Sequence, residues 1–206
     1  AAGVERKFLQ DFSKKGLLVS HWCAPKKPAP ITEVVNSLTL NADQQRAVDA
    51  ITEAYHIGGY HGFLLNGITG SGKTEVYLQA MTNVLAAGQQ VLILVTEIGL
   101  TPQTRQRFAE RFATDVLMLH SGLTDNARLQ GWQACREGFA QIIIGTRSAV
   151  LYPFVNLGMI IVDEAHDLSY KQQDTLRYHA TDVALYRGFK RGIVVVLGTA
   201  RSEEHT

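Results

Sequence analysis

Gly67-Ile68-Thr69-Gly70-Ser71-Gly72-Lys73-Thr74 reads G-x-x-x-x-G-K-T, the spacing of a phosphate-cradling P-loop. An apolar run, Gly62-Phe63-Leu64-Leu65-Asn66, precedes it, and residues 75–81 follow with apolar positions at helical spacing. Strand, glycine loop and helix, in that order, are the context that gives the motif its meaning. Glycines let backbone N–H groups turn towards a polyphosphate, and the new helix aims its N-terminal partial positive charge at the same anion. Lys73 adds a full positive charge, and the Thr74 hydroxyl is placed to ligate Mg²⁺. Gly67, Thr69, Gly70, Ser71, Gly72, Lys73 and Thr74 are therefore the candidate residues for ATP. A plain glycine-rich turn is the alternative, and it leaves the flanking strand and helix unexplained.

Outward from this loop, strands and helices alternate. A helix is expected over residues 42–56, with Asn41 as its N-cap and Gln44 at the capping-box position. Ala47, Val48, Ile51, Ala54 and Tyr55 fall on its core face. Gln44 has two readings, as a cap or as a reader of an adenine edge. Apolar strands are expected at 91–95, 116–119, 142–144, 159–162 and 193–197. Between them come a helix at 102–112 capped by Thr101, one capped by Thr124 that ends near Gly138, and one at about 180–190. Continuous apolar strands separated by helices define an α/β fold, a parallel sheet covered by helices on both faces. Ligands of such sheets gather at the carboxyl ends of the strands.

Those ends carry chemistry. The strand at 159–162 runs into Asp163-Glu164-Ala165-His166. Asp163 is expected in the Mg²⁺ shell, and Glu164 is expected to orient and deprotonate an attacking water, with Lys73 completing the catalytic set. Adjacent acids are often only a solvated turn; here they follow a buried strand in a chain that already has a P-loop. His166 is either a structural histidine or a link from the nucleotide to moving parts. Thr101 and Gln103 follow one strand, and Thr146 and Arg147 follow another. Hydroxyls, an amide and a cation on one rim suit a phosphodiester backbone, and ordinary strand-to-helix turns fit them equally. Tyr170, Lys171, Arg177 and Tyr178 interleave aromatics with cations, a pattern that suits stacking of single-stranded bases.

The 206 residues carry a formal net charge of +1, so no global basic field points to nucleic acid and any such contact needs a local patch. Cys23 and Cys135 sit in no C-x-x-C pair, which argues against a zinc site here and for a reducing compartment. There is no apolar run of membrane-spanning length and no signal peptide, so a cytoplasmic location is expected. Residues 3–15 read as a basic amphipathic helix and 17–22 as a strand, either the end of a winged helix or an arbitrary pair from a neighbouring domain. Pro25, Lys26, Lys27, Pro28 and Pro30 form a stiff charged linker. The expected organisation is residues 1–24, a linker at 25–37, and the P-loop domain at 38–200. With Ala at position 1, the chain reads as a fragment of a longer protein.

G-I-T-G-S-G-K-T-E-V-Y, E-I-G-L-T-P-Q, H-S-G-L, I-G-T-R-S-A and S-Y-K-Q-Q…R-Y-H-A, in this order, resemble the primosomal replication-restart DNA helicases over roughly residues 38–200. The resemblance implies a superfamily 2 helicase with two RecA-like lobes, 3′-to-5′ movement on DNA, and assembly at stalled forks. Partners implied are forked or junction DNA, other primosomal proteins and single-stranded-DNA-binding protein. By position it makes Gln44 the adenine reader, Lys73 and Thr74 the P-loop pair, and Asp163 and Glu164 the acids. Residues 169–179 become the aromatic-rich loop that couples DNA to ATP hydrolysis, and residues 1–22 the tail of a winged helix. The family's second lobe, arginine finger and zinc module are not among these residues. Thr96, Ala165 and Thr181 depart from the family's usual Pro, Glu and Arg. Gly198-Thr199-Ala200 begins its G-S-A-T element and Arg201 breaks it. Residues 201–206 match the translation of a common sequencing adapter and read as a non-native tail. Rival readings are a nucleotide- and DNA-binding module without turnover, another superfamily 2 DNA translocase, and a regulatory GTPase; the last lacks an N-K-x-D element.

Overall fold

The computed structural model describes residues 28–32, 34–35, 38–68, 70–174 and 176–200. The winged-helix remnant expected at 1–24, residues 25–27, 33, 36 and 37 of the expected linker, Thr69, Thr175, and the tail at 201–206 lie outside the described residues. Helix α1 (Ala42–Ile57) starts where the sequence places it. The Asn41 carboxamide oxygen accepts from the Gln44 N–H at 2.9 Å, and the Gln44 side-chain oxygen accepts from the Asn41 N–H at 3.0 Å. This reciprocal cap satisfies two N–H groups that a helix start leaves without partners. Val48, Ile51 and Ala54 turn its buried face inward.

The remaining elements are β1 (His61–Asn66), α2 (Lys73–Ala80), α3 (Thr82–Ala86), β2 (Gln90–Leu94), α4 (Pro102–Phe112), β3 (Val116–Leu119), α5 (Asp125–Glu137), β4 (Ile142–Gly145), β5 (Leu157–Val162), β6 (Lys171–Gln172), β7 (Tyr178–His179), α6 (Ala180–Arg191) and β8 (Val194–Thr199). Short 3₁₀ turns occupy Arg147–Leu151 and Leu168–Tyr170. Six strands form one parallel sheet in the order β1-β8-β5-β2-β4-β3. β6 and β7 make a small antiparallel hairpin where the sequence suggests only a loop.

Alternation along the strands builds two cores. Val91, Ile93, Ile144, Ile161 and Val196 face α1, α2, α3 and α4, whereas Leu92, Leu94, Ile143, Ile160 and Val195 face α5, α6 and the turn at Arg147–Leu151. β2, β4 and β5 are buried along their whole length, which is why they read as unbroken apolar runs. Each such side chain contributes about 1.5–3 kcal/mol on burial. β1 is an edge strand and alternates half-buried with exposed residues.

Two ties hold the P-loop helix, one to α4 and one to the segment before α1. Arg111 on α4 and Glu75 on α2 form a buried ion pair, with side chains 4% and 6% exposed. Glu75 also accepts from Gln79 Nε2 at 2.9 Å, and Gln79 Nε2 donates to the Leu38 carbonyl at 3.0 Å. The register aligns Asn66 with Thr199, Val162 with Leu197 and Leu94 with both Val162 and Gly145. The residues after β1, β2, β4, β5 and β8 therefore emerge on one rim.

Candidate functional site

The P-loop leaves β1 and turns into α2 through two left-handed glycines, Gly70 (φ +80°) and Gly72 (φ +82°). Other L-residues rarely adopt that conformation. A side chain at Gly72 would also collide with the Gln44 amide, and one at Gly67 would come within 2.6 Å of Ser71 Oγ. Lys73, the first residue of α2, is 9% exposed. Its ammonium donates to the carbonyls of Gly67 (2.8 Å) and Ile68 (3.4 Å) and lies 3.7 Å from Glu164 Oε1. The loop thus holds a cation at its centre on neutral carbonyls, which a phosphate with full charges would outcompete.

Gln44 combines two jobs in this arrangement. Its oxygen serves the α1 cap, and its Nε2 donates to the Ser71 carbonyl at 2.8 Å. The amide thereby clasps the P-loop to α1, and the capping reading is the one seen. Beside it opens a cavity of about 320 Å³ lined by Asn41, Gln44, Asn66, Ile68, Ser71 and Lys73 among others.

Across the loop, Thr74, Tyr77, Thr96, Asp163 and Glu164 share the wall of a second cavity of about 160 Å³. Burial pushes the Asp163 carboxyl above the usual carboxylate range; the hydrogen bond from Tyr77 and the charge of Lys73 pull it partly back. Tyr77 Oη donates to Asp163 Oδ1 at 2.9 Å, and Tyr170 Oη donates to the Asp163 carbonyl at 2.6 Å. Glu164 has φ +49°, a left-handed conformation that is uncommon for a residue with a long side chain. His166 Nδ1 lies 2.9 Å from Thr199 Oγ1, so the acidic turn is tied to the end of β8. Thr74 and Asp163 present a hydroxyl and a carboxylate to one cavity. No group of three or more His, Cys, Asp or Glu residues suited to a metal occurs among the described residues. This donor set fits Mg²⁺, which takes one or two protein oxygens and completes its shell from substrate phosphates and water.

The other predicted residues divide. Thr101 and Thr146 line a rim cleft of about 560 Å³ together with Glu97, Arg105, His120 and Ser121. The Thr101 hydroxyl is already engaged as the α4 cap, accepting from the Thr104 N–H at 3.1 Å. Gln103 is exposed on the first turn of α4 and does not line that cleft. Arg147 does not line that cleft, its guanidinium donating to the carbonyls of Ser169 (3.2 Å) and Lys171 (3.3 Å). Lys171, Arg177 and Tyr178 line a separate cleft of about 580 Å³ at the hairpin, with His179 and Asp182.

Tyr170 corrects the sequence reading. It is expected to stack on bases, yet it is 1% exposed and packs in the core beneath the hairpin. The Asp163 carbonyl needs a donor at the point where the chain leaves the sheet, and the Tyr170 hydroxyl supplies it. Arg105 and His120 are rim residues that sequence reasoning missed. H-S-G, quoted above only for its resemblance, marks the end of β3 and pointed to His120. Tyr77 was missed too, although it lies one helical turn from Lys73 and Thr74.

A glycine loop closing on a buried lysine, opposite a strand that ends in two acids, defines a P-loop nucleotide-binding lobe. The DEAD/DEAH box helicase family model matches residues 41–204, and the chain belongs to that family. It is 52% identical over 171 residues to the replication restart protein PriA of Haemophilus influenzae, an alignment covering 83% of this chain and 23% of that protein. It is 45% identical over 163 residues to the PriA of Bacillus subtilis, covering 79% of this chain and 20% of that protein. The chain thus spans about a fifth to a quarter of these curated relatives. The fold is also shared with RecG bound to a three-way DNA junction (TM-score 0.61, 24% identity, 97% of this chain and 23% of that one). The Hef helicase domain of Pyrococcus furiosus shares it as well (TM-score 0.55, 18% identity, 80% and 33%). Among the described residues, no helix is long and apolar enough to cross a membrane.

Proposed function

We propose that this chain is the ATP-binding motor lobe of a replication-restart DNA helicase. The observation that carries the reading is the convergence of Lys73, Thr74, Asp163 and Glu164 from two separate strands around the nucleotide side of one rim. Lys73 transfers its ammonium from loop carbonyls to the terminal phosphates of ATP. Thr74 and Asp163 would hold Mg²⁺, which would supply charge neutralisation to the bound nucleotide. Glu164 accepts the proton of the attacking water and orients it. Gln44 keeps the loop in place and stands at the mouth of the neighbouring cavity, where an adenine edge can reach its amide. DNA runs along the rim cleft at Thr101, Arg105, His120 and Thr146, with Gln103 and Arg147 at its margins. The hairpin at Lys171, Arg177 and Tyr178 is a further contact.

The similarity to PriA supports forked DNA, 3′-to-5′ movement, partner primosomal proteins, single-stranded-DNA-binding protein and a cytoplasmic setting for the longer protein. From the motif resemblance we also propose a winged-helix remnant at 1–24, a linker at 25–37, a lobe at 38–200 and zinc bound elsewhere in the parent. The test is calorimetric titration of the chain with Mg-ATP and Mg-GTP, followed by single-turnover hydrolysis with and without single-stranded DNA. We expect ATP to bind in preference to GTP and to be hydrolysed slowly. The family resemblance assigns stabilisation of the transferring phosphoryl group to an arginine of a second lobe; within this chain Arg147 is engaged with the hairpin backbone, and Arg107 lines the cavity of Asp163 and Glu164. Absence of ATP binding overturns the reading. A fast DNA-stimulated rate would place the completing arginine within this lobe.

A further inference from the structure

We infer that Tyr77 is a positioning residue for the metal-holding carboxylate, and that Gly198 is a glycine because the Tyr77 hydroxyl occupies the space of its side chain. The inference rests on the nucleotide-site reading above. Tyr77 lies on α2 three residues beyond Thr74, so the hydroxyl of Thr74 and the ring of Tyr77 share one face of the helix. The ring is 2% exposed and lies against Gly198 of β8, placing its Oη 2.9 Å from Asp163 Oδ1. A Cβ built at Gly198 would overlap the Tyr77 hydroxyl, and it would lie 2.9 Å from Tyr77 Cζ and 3.2 Å from Asp163 Oδ1. Gly198 has no left-handed backbone, so space rather than conformation demands the glycine. The next β8 residue, Thr199, holds His166, and the Gly198 carbonyl accepts from the Ala165 N–H at 2.7 Å.

These contacts have one mechanical result. The carboxylate of Asp163 is fixed by the helix that carries Lys73 and Thr74, so the two halves of the Mg²⁺ site are held at a set separation before any ligand arrives. One carboxylate oxygen is committed to Tyr77, which leaves the other to face the metal shell. A hydrogen bond to a buried carboxylate is among the stronger ones in proteins, and it specifies one rotamer. The influence of Tyr77 on the site passes through its hydrogen bond to Asp163.

The experiment compares ATP binding to the chain with and without Mg²⁺, using a fluorescent ATP analogue and a Mg²⁺ titration, for the parent chain, Tyr77→Phe and Gly198→Ala. Phenylalanine keeps the buried ring and removes only the hydroxyl. The expected result is unchanged affinity for metal-free nucleotide and a loss of about tenfold in the tightening that Mg²⁺ confers. Gly198→Ala, which displaces the hydroxyl, should reproduce that loss, and Tyr77→Phe/Gly198→Ala should be no worse than either change alone. Thermal melts establish that each variant is folded. An undiminished Mg²⁺ effect in folded Tyr77→Phe overturns the inference. If the parent chain itself shows no Mg²⁺-dependent ATP binding, the nucleotide-site reading fails instead.

Discussion

The ion pair between Glu75 and Arg111 offers the sharpest test of how the P-loop helix is held. Replacing Arg111 by Met keeps most of the apolar stem and removes the charge. Glu75 then remains buried, with the Gln79 amide (2.9 Å) and the Leu38 N–H (3.4 Å) as its other donors. Removing one partner of a buried pair typically costs about 3–5 kcal/mol, because the remaining charge stays desolvated. The two surviving donors put Arg111→Met near the lower end, about 3 kcal/mol. A domain of this size loses about 2–4 °C of Tm per kcal/mol, so a fall of roughly 6–12 °C is expected. Glu75→Leu should cost as much from the other side. The double variant Glu75→Leu/Arg111→Met leaves no buried charge at the pair and should recover to within about 1 kcal/mol of the parent. Calorimetric melts of the three variants supply the cycle. Single losses below about 1 kcal/mol, or a double variant as damaged as the sum of the singles, would mean that water reaches the pair and that it does not anchor the helix.

Lys73→Ala removes the full charge that the loop holds for the phosphates, and ATP affinity measured by calorimetry should fall by about two orders of magnitude. Tyr170→Phe should lower stability by about 1–2 kcal/mol by stranding the Asp163 carbonyl, and it should leave the affinity for a single-stranded oligonucleotide unchanged in an anisotropy titration. Lys171→Ala and Arg177→Ala should weaken that same affinity. Burial pushes the Cys135 thiol up to about 12 from its ordinary value near 9. The folded chain then holds its proton while the unfolded chain loses it above about pH 9. Stability measured by denaturant titration should therefore be level below about pH 8 and fall above 9 by up to about 1.4 kcal/mol per pH unit from this group. Tyr77 and Tyr170, also pushed up by burial, steepen the fall above about pH 10. In a Cys23→Ser background, Cys135 should resist a thiol reagent at pH 8 until the fold is opened.

The strands and caps were legible because their causes are local. Asn41 with Gln44, Thr101 with Pro102, and Thr124 all announce helix starts through side chains that reach only three residues. The unbroken runs at 142–144 and 159–162 announce strands buried on both faces. The P-loop and the acids were legible because phosphate chemistry restricts the residue types and their spacing. Strand order was not, since β1 pairs with β8 from the far end of the described chain. Nor was the environment of any single side chain. Tyr170 and Tyr178 sit in similar polar surroundings in the sequence, yet one fills the core and the other lines a cleft. What separates them is a carbonyl at Asp163, seven residues upstream of Tyr170, which no periodicity reveals. Glu75 and Arg111, 36 residues apart, read separately as surface charges on two helices.

Glu164 carries a further consequence. Its backbone is left-handed at φ +49°, a shape that glycine adopts without steric cost and that asparagine tolerates better than glutamate. At this one position the most comfortable residue for the fold differs from the residue proposed for proton transfer. A library of this domain sorted only for heat resistance would drift towards glycine here, and on the proposed role of Glu164 its most robust members would have lost the proton acceptor. Any campaign to harden the lobe therefore has to hold position 164 under a separate screen alongside melting, or it will select the glutamate away.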